Sequence, residues 1–180
     1  MRIISGEFKG RFIKMPKSIR PTQDKVRKAL FDILGDIEGL SFLELFAGSG
    51  AVGFEAASRG VAELVLVEYN RHCQLAINKN IESLKLKACS LYPKEVSDAI
   101  KALHRDKRKF DIIFLDPPYY AGGAKKTLQT LEAYDILPSA GFIVVQHFKK
   151  DNLPNKLGDL SLFRQARYGD TLLSFYKKSR

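Results

Sequence analysis

The stretch Leu43–Gly60 reads LELFAGSGAVGFEAASRG. A short apolar run, interrupted by Glu44, leads into Gly48, Gly50 and Gly53, which spell G-x-G-x-x-G. Small and apolar residues at helical spacing follow. A glycine turn between a strand and a helix lets the backbone approach a ligand and aims helix N–H groups at it. This spacing is the dinucleotide-binding fingerprint. The glycines alone do not distinguish a dinucleotide from another adenosine-bearing ligand.

Outward from that turn the chain alternates strand and helix. LSFLELF (40–46) and AELVLVEYN (62–70) read as strands, with a helix through VGFEAASRG between them. A helix through CQLAINKNIESLKL, a weakly patterned third strand KACSLYP and a helix KEVSDAIKALH come next. FDIIFLDPP is a strong fourth strand, AKKTLQTLEAYDIL a helix and AGFIVVQHF a fifth strand. LFRQARYGDTLLSFYKK reads as two strands joined at Gly169-Asp170. The pattern predicts an α/β protein with a mostly parallel sheet, helices on both faces and an antiparallel edge strand. Before the first strand, RIISGEFKGRFIKM predicts a short β-hairpin arm. RPTQDKVRKALFDILG then predicts a helix, with Thr22 as N-cap, Gly35 as C-cap and an apolar stripe of Val26, Leu30, Ile33 and Leu34. No composition break divides the 180 residues, so one domain (1–180) is expected, with residues 1–20 as its basic arm.

Thirty Lys and Arg against twenty Asp and Glu give a net charge of +10. Much of the excess lies in residues 1–30, where Arg2, Lys9, Arg11, Lys14, Lys17, Arg20, Lys25, Arg27 and Lys28 interleave with Phe8 and Phe12. Basic residues among aromatics predict a polyanion surface. The apolar runs are too short to span a bilayer, and MRIISGEFKGR has no apolar signal core. Cys73 and Cys89 have no metal-ligand spacing. Reduced cytoplasmic thiols, no metal and no membrane are therefore expected.

Glu68 closes the second strand twenty positions beyond Gly48. A carboxylate there accepts from ribose hydroxyls, which a dinucleotide and S-adenosylmethionine share. Glu44 favours the second ligand. A buried carboxylate needs a partner, and an α-ammonium, a sulfonium or a basic side chain supplies one where a pyrophosphate does not. Asp116-Pro117-Pro118-Tyr119 closes the fourth strand, at the sheet edge where such folds bind ligands. The prolines stiffen the backbone and remove two N–H donors. Asp116 and the Pro117 carbonyl then offer two acceptors beside an aromatic ring, Tyr119, which suits a planar base with an exocyclic amine.

In this order, ELFAGSG, VEYN and DPPYY resemble a class I S-adenosylmethionine-dependent amino-methyltransferase with a Rossmann-like fold. RIISGEFKGR and RPTQDKVRKALFDIL narrow the resemblance to the RsmD family of 16S rRNA guanine-N2 methyltransferases, over nearly the whole chain. The resemblance implies S-adenosylmethionine as cofactor and 16S rRNA or the small ribosomal subunit as partner. It implies that Glu44, Phe46, Gly48, Gly50 and Glu68 bind the cofactor, with Gly48 and Gly50 at its methionine end. Asp116, Pro117 and Tyr119 become catalytic, and Arg11, Arg20, Thr22, Pro118 and Tyr119 contact substrate. The family commonly has Gly-Asp-Ala after the third strand, with the Asp near the adenine amine. Here Lys94-Glu95-Val96 stands in that place, and Glu95 is expected to substitute. DNA adenine-N6 methyltransferases share the DPPY element but carry a target-recognition domain not evident here. A dinucleotide-dependent oxidoreductase leaves DPPY and the basic charge unexplained, and a non-enzymatic RNA-binding module leaves the glycine turn unexplained.

Overall fold

A computed structural model describes residues 1–16, 24–118 and 122–179. In chain order the elements are α1 (Asp24–Leu34), β1 (Ser41–Leu45), α2 (Ala51–Ser58), β2 (Glu63–Val67), α3 (Arg71–Leu84), β3 (Cys89–Tyr92) and α4 (Val96–Arg105). They continue with β4 (Ile112–Leu115), α5 (Gly123–Ala133), β5 (Phe142–Phe148), β6 (Lys156–Leu157), β7 (Leu160–Tyr168) and β8 (Thr171–Lys178). One sheet runs in the order β3-β2-β1-β4-β5-β8-β7-β6. The first five strands pair in parallel. At the edge beyond β5 the pairing is antiparallel: β8 and β7 are the two strands expected around Gly169-Asp170, and the short β6 adds one more. The two-residue β6 is too short to show a period in sequence.

Side chains alternate across the sheet with period two. Phe42, Leu66, Phe114 and Val144 pack on one face against α1, α2 and α3. Leu43, Val67, Leu115 and Val145 pack on the other against α4 and α5. The strand order reverses between β1 and β4, so the crevice past their carboxyl ends is the ligand position of an open α/β sheet.

The N-terminal arm departs from a regular hairpin. A single antiparallel bridge, Arg2 to Phe12, joins its limbs. The physical reason is Glu55 of α2, whose carboxylate accepts from the Ile4 and Ser5 amides at 2.7 and 3.0 Å and so draws them out of any ladder. Ser58 accepts from Phe8 and Glu7. Gly6, at φ +80°, lies so close to α2 that a Cβ would stand 1.8 Å from the Ser58 carbonyl oxygen. Ile3 and Ile13 are buried beneath the arm. Arg27, grouped in sequence with the basic surface, is wholly buried instead. Its guanidinium meets Asp24, the Arg2 carbonyl, Met1 Sδ and, at 3.9 Å, Glu55. In α1 the buried stripe is Val26, Arg27, Leu30 and Phe31, while Ile33 and Leu34 are half-buried. Gly35 takes the left-handed conformation (φ +70°) of a helix-ending residue. The expected Thr22 cap lies outside the described residues.

Candidate active site

β1 ends in three tight backbone positions. Phe46, Gly48 and Gly50 have φ of +58°, +57° and +75°. Glycine adopts this region freely, whereas a non-glycine residue costs about 1–3 kcal/mol and persists where the surroundings impose it. The turn opens into α2, and Gly50 stands at the N-cap position without a side-chain cap. The capping acceptor comes from β1: Glu44 Oε2 accepts from the Gly53 N–H at 2.7 Å. A Cβ on Gly53 would lie 2.7 Å from that oxygen and 2.6 Å from Leu66 Cδ2. The third glycine of the fingerprint is thus what lets α2 press onto β1 and β2 and meet Glu44. Glu44 takes its hydrogen bond from backbone, while its charge also acts on the buried Arg27 guanidinium.

A cavity of about 560 Å³ opens at the carboxyl ends of β1, β2 and β4. Phe46, Gly48, Glu44, Glu68, Asp116 and Gln146 are among its lining residues, as are Pro117 and Pro118. Glu44, Asp116 and Gln146 share the sheet face of Phe42, Phe114 and Val144 by parity. Asp116 follows Leu115 and Gln146 follows Val145, which are register partners, so the two stand side by side. Gln146 Nε2 donates to Asp116 Oδ2 at 2.8 Å. Glu68 uses one oxygen on the Gly48 N–H and the other on the Asn70 N–H, both at 2.7 Å. It thereby clamps the glycine turn to the end of β2.

The electrostatics of the cavity are one-sided. Burial pushes the Glu44 carboxyl up to about 8, and the negative charges of Asp116 and Glu68 add to the rise. Burial likewise pushes Asp116 up to about 7, against the Gln146 hydrogen bond that lowers it. Among the described residues lining the cavity there is no lysine, arginine or histidine. A pyrophosphate finds no counter-charge there, while a cationic ligand relieves three crowded carboxyls at once. With the space available, these residues fit a sulfonium ligand that carries an ammonium and an adenosine ribose.

Other expected site residues lie elsewhere. Glu95 is exposed at the start of α4, and its neighbour Val96 lines the cavity instead. Arg11 is exposed and donates to the Ser83 carbonyl at the end of α3, its guanidinium 5.8 Å from the Phe8 ring centre. Arg20, Thr22 and Tyr119 lie outside the described residues. Sequence reasoning missed Gln146, although an amide inside FIVVQHF, in register with the DPP aspartate, was the available signal. Among the described residues no group of three His, Cys, Asp or Glu is placed to hold a metal ion, and no helix is long and apolar enough to cross a membrane.

Comparison with known proteins agrees with this architecture. YlbH of Bacillus subtilis is 38% identical over 99% of both chains. Ribosomal RNA small subunit methyltransferase D of Escherichia coli K12 is 33% identical over 99% of this chain and 90% of its own. The solved structure of Escherichia coli YhhF superposes with a TM-score of 0.86 at 31% identity, covering 99% of this chain and 97% of that one. The eight-stranded sheet is the class I methyltransferase fold. A sequence model of the family described as "Conserved hypothetical protein 95" matches residues 1–177, and the chain belongs to that family.

Proposed function

We propose that this protein transfers a methyl group from S-adenosylmethionine to the exocyclic N2 amine of a guanine in small-subunit ribosomal RNA. It acts in the cytoplasm as one domain with residues 1–20 as a basic arm. The observation that carries the reading is the cavity at the β1–β4 crossover, which gathers Glu44, Glu68 and Asp116 and has no basic residue among its described lining. The name of the Escherichia coli relative supports ribosomal RNA as substrate, and the net charge of +10 supports a polyanionic partner.

S-adenosylmethionine supplies a methyl group on positively charged sulfur. Glu44 ionises against the ligand's ammonium and keeps its bond from Gly53. Glu68 offers its remaining lone pairs to the ribose hydroxyls while it holds the glycine turn. Asp116 and the Pro117 carbonyl accept the two N–H bonds of the target amine, and Tyr119 stacks on the base. The amine lone pair is delocalised into the ring, so gripping both N–H bonds turns it toward the methyl. Its proton becomes acidic only as the new N–C bond forms. Asp116 takes that proton on a carboxylate that burial has raised from its ordinary value toward neutrality. Positioning and electrostatics supply most of the acceleration.

Small-subunit RNA from a strain lacking this protein, incubated with enzyme and labelled cofactor and then digested for mass spectrometry, tests the reading. Label on guanine N2 is expected, and Asp116→Ala should abolish it while cofactor affinity persists. Label on adenine, or on DNA alone, overturns the assignment.

A further inference from the structure

Gln146 has no part in the reading above, yet its geometry is unusual. It lies in the fifth strand of the sheet, 3% exposed, between apolar Val145 and buried His147. Its Nε2 donates to Asp116 Oδ2 at 2.8 Å. Its Oε1 is buried and has no hydrogen-bond partner among the described residues. An orphaned buried carbonyl is destabilising. The fold tolerates that cost at a position where leucine or methionine would fill the same strand. Turning the amide over would set its oxygen against a carboxylate oxygen, so an ionised Asp116 fixes which end faces it. Asp116 Oδ1 has no protein donor among the described residues, and both side chains line the cavity.

We propose that Gln146 is a positioning residue for methyl transfer: its Nε2–H holds Asp116 as an acceptor-only carboxylate and leaves Oδ1 for the incoming amine. The inference rests on the methyltransferase reading. A protonated Asp116 presents an O–H donor to an amine that itself offers two N–H donors, and the grip fails. Burial presses Asp116 toward that protonated form. Glu44 of β1 and Glu68 beyond β2 line the same cavity, and the Asp116 charge in turn raises Glu44. Cys73 of α3 adds a thiol to the lining, and no described lining residue is basic. His147, next in the strand, is on the other sheet face and bonds Ser174, and Lys149 near Thr171 pairs with Asp170. The neutral amide of Gln146 is the one side-chain donor the described residues give Asp116.

The test uses Gln146→Met, which keeps length and volume without a donor, with Gln146→Leu as a second variant should the first not fold. Protein labelled with carbon-13 at aspartate Cγ is titrated by NMR, and Asp116→Asn identifies the Asp116 signal. The Asp116 midpoint is expected to rise by about one pH unit in both variants. The acid limb of kcat for methyl transfer should move up in parallel, and cofactor affinity should stay at the wild-type value. An unmoved midpoint overturns the proposal. So does a loss of kcat that is uniform across pH, or a loss of cofactor affinity, which would make Gln146 a ligand contact. A wild-type enzyme that methylates no guanine defeats the functional reading instead, and the NMR midpoint still decides what Gln146 does to Asp116.

Discussion

Glu44→Gln should stabilise the ligand-free protein and weaken its hold on cofactor. The Glu44 carboxyl is 3% exposed and sits at about 8, against an ordinary glutamate value of 4.5. In the unfolded chain it releases its proton near 4.5, whereas the folded chain retains it until about 8. Across that window the native state binds more protons than the unfolded state, so Glu44 makes stability fall as pH rises. At pH 7 the penalty is about 3 kcal/mol, and at pH 5 it is under about 1 kcal/mol. Glutamine removes it, because its amide oxygen still accepts from Gly53 and carries no charge to desolvate. Urea denaturation of both proteins at pH 5, 6, 7 and 8 measures the difference. The gain should be small at pH 5 and grow by about 2 kcal/mol toward pH 7. Calorimetric titration at pH 7 should show cofactor binding about tenfold or more weaker, the loss of a charged hydrogen-bond partner. A gain of the same size at every pH, or no gain at pH 8, refutes the reasoning.

Glu68→Ala removes acceptors from Gly48 and Asn70 as well as from the ribose, so cofactor affinity should fall by about 1–3 kcal/mol, read by calorimetry. Gly53→Ala forces a Cβ to within 2.6 Å of Leu66 and should cost about 1–3 kcal/mol in urea denaturation. Glu55→Ala strips the Ile4 and Ser5 amides of their acceptor and leaves buried Arg27 without its nearby buried carboxylate. It should cost about 3–5 kcal/mol and expose residues 1–16 to limited proteolysis, whereas a stable, uncut variant would show that the arm is held by other contacts.

Local chemistry made much of this molecule readable in advance. The G-x-G-x-x-G turn, the apolar runs of β2, β4 and β5, and Gly169-Asp170 between β7 and β8 each declare themselves within a few residues. Asp116 was readable because two prolines fix it at a strand end. What escaped depends on residues distant in the chain. Arg27 looks like one more cation of a basic run, and only Glu55 and the folded-back Arg2 carbonyl make it a core residue. The arm carries an alternating pattern, yet its Ile4, Ser5, Glu7 and Phe8 amides are claimed by α2, while Ile3, Gly10 and Ile13 bond across the arm. The partner of Glu44 is the backbone of the same fingerprint that precedes a helix, a contact that appears only once α2 folds back along β1. Glu95 shows the converse: standing where the family carries an aspartate, it is exposed and is not among the cavity-lining residues.

The Glu55 anchor makes the arm and the glycine turn one mechanical unit. α2 is eight residues long. It begins at the glycine turn, and its flank, through Glu55 and Ser58, grips the arm. The distance from arm to turn is therefore set by one rigid helix. An arm grafted onto another methyltransferase without that helix arrives with two unbound amides and a glycine that has nothing to press against. Substitutions at the exposed tip around Lys9, Gly10 and Phe12 leave that grip untouched, whereas a change at Glu55 or Ser58 loosens the arm at its root.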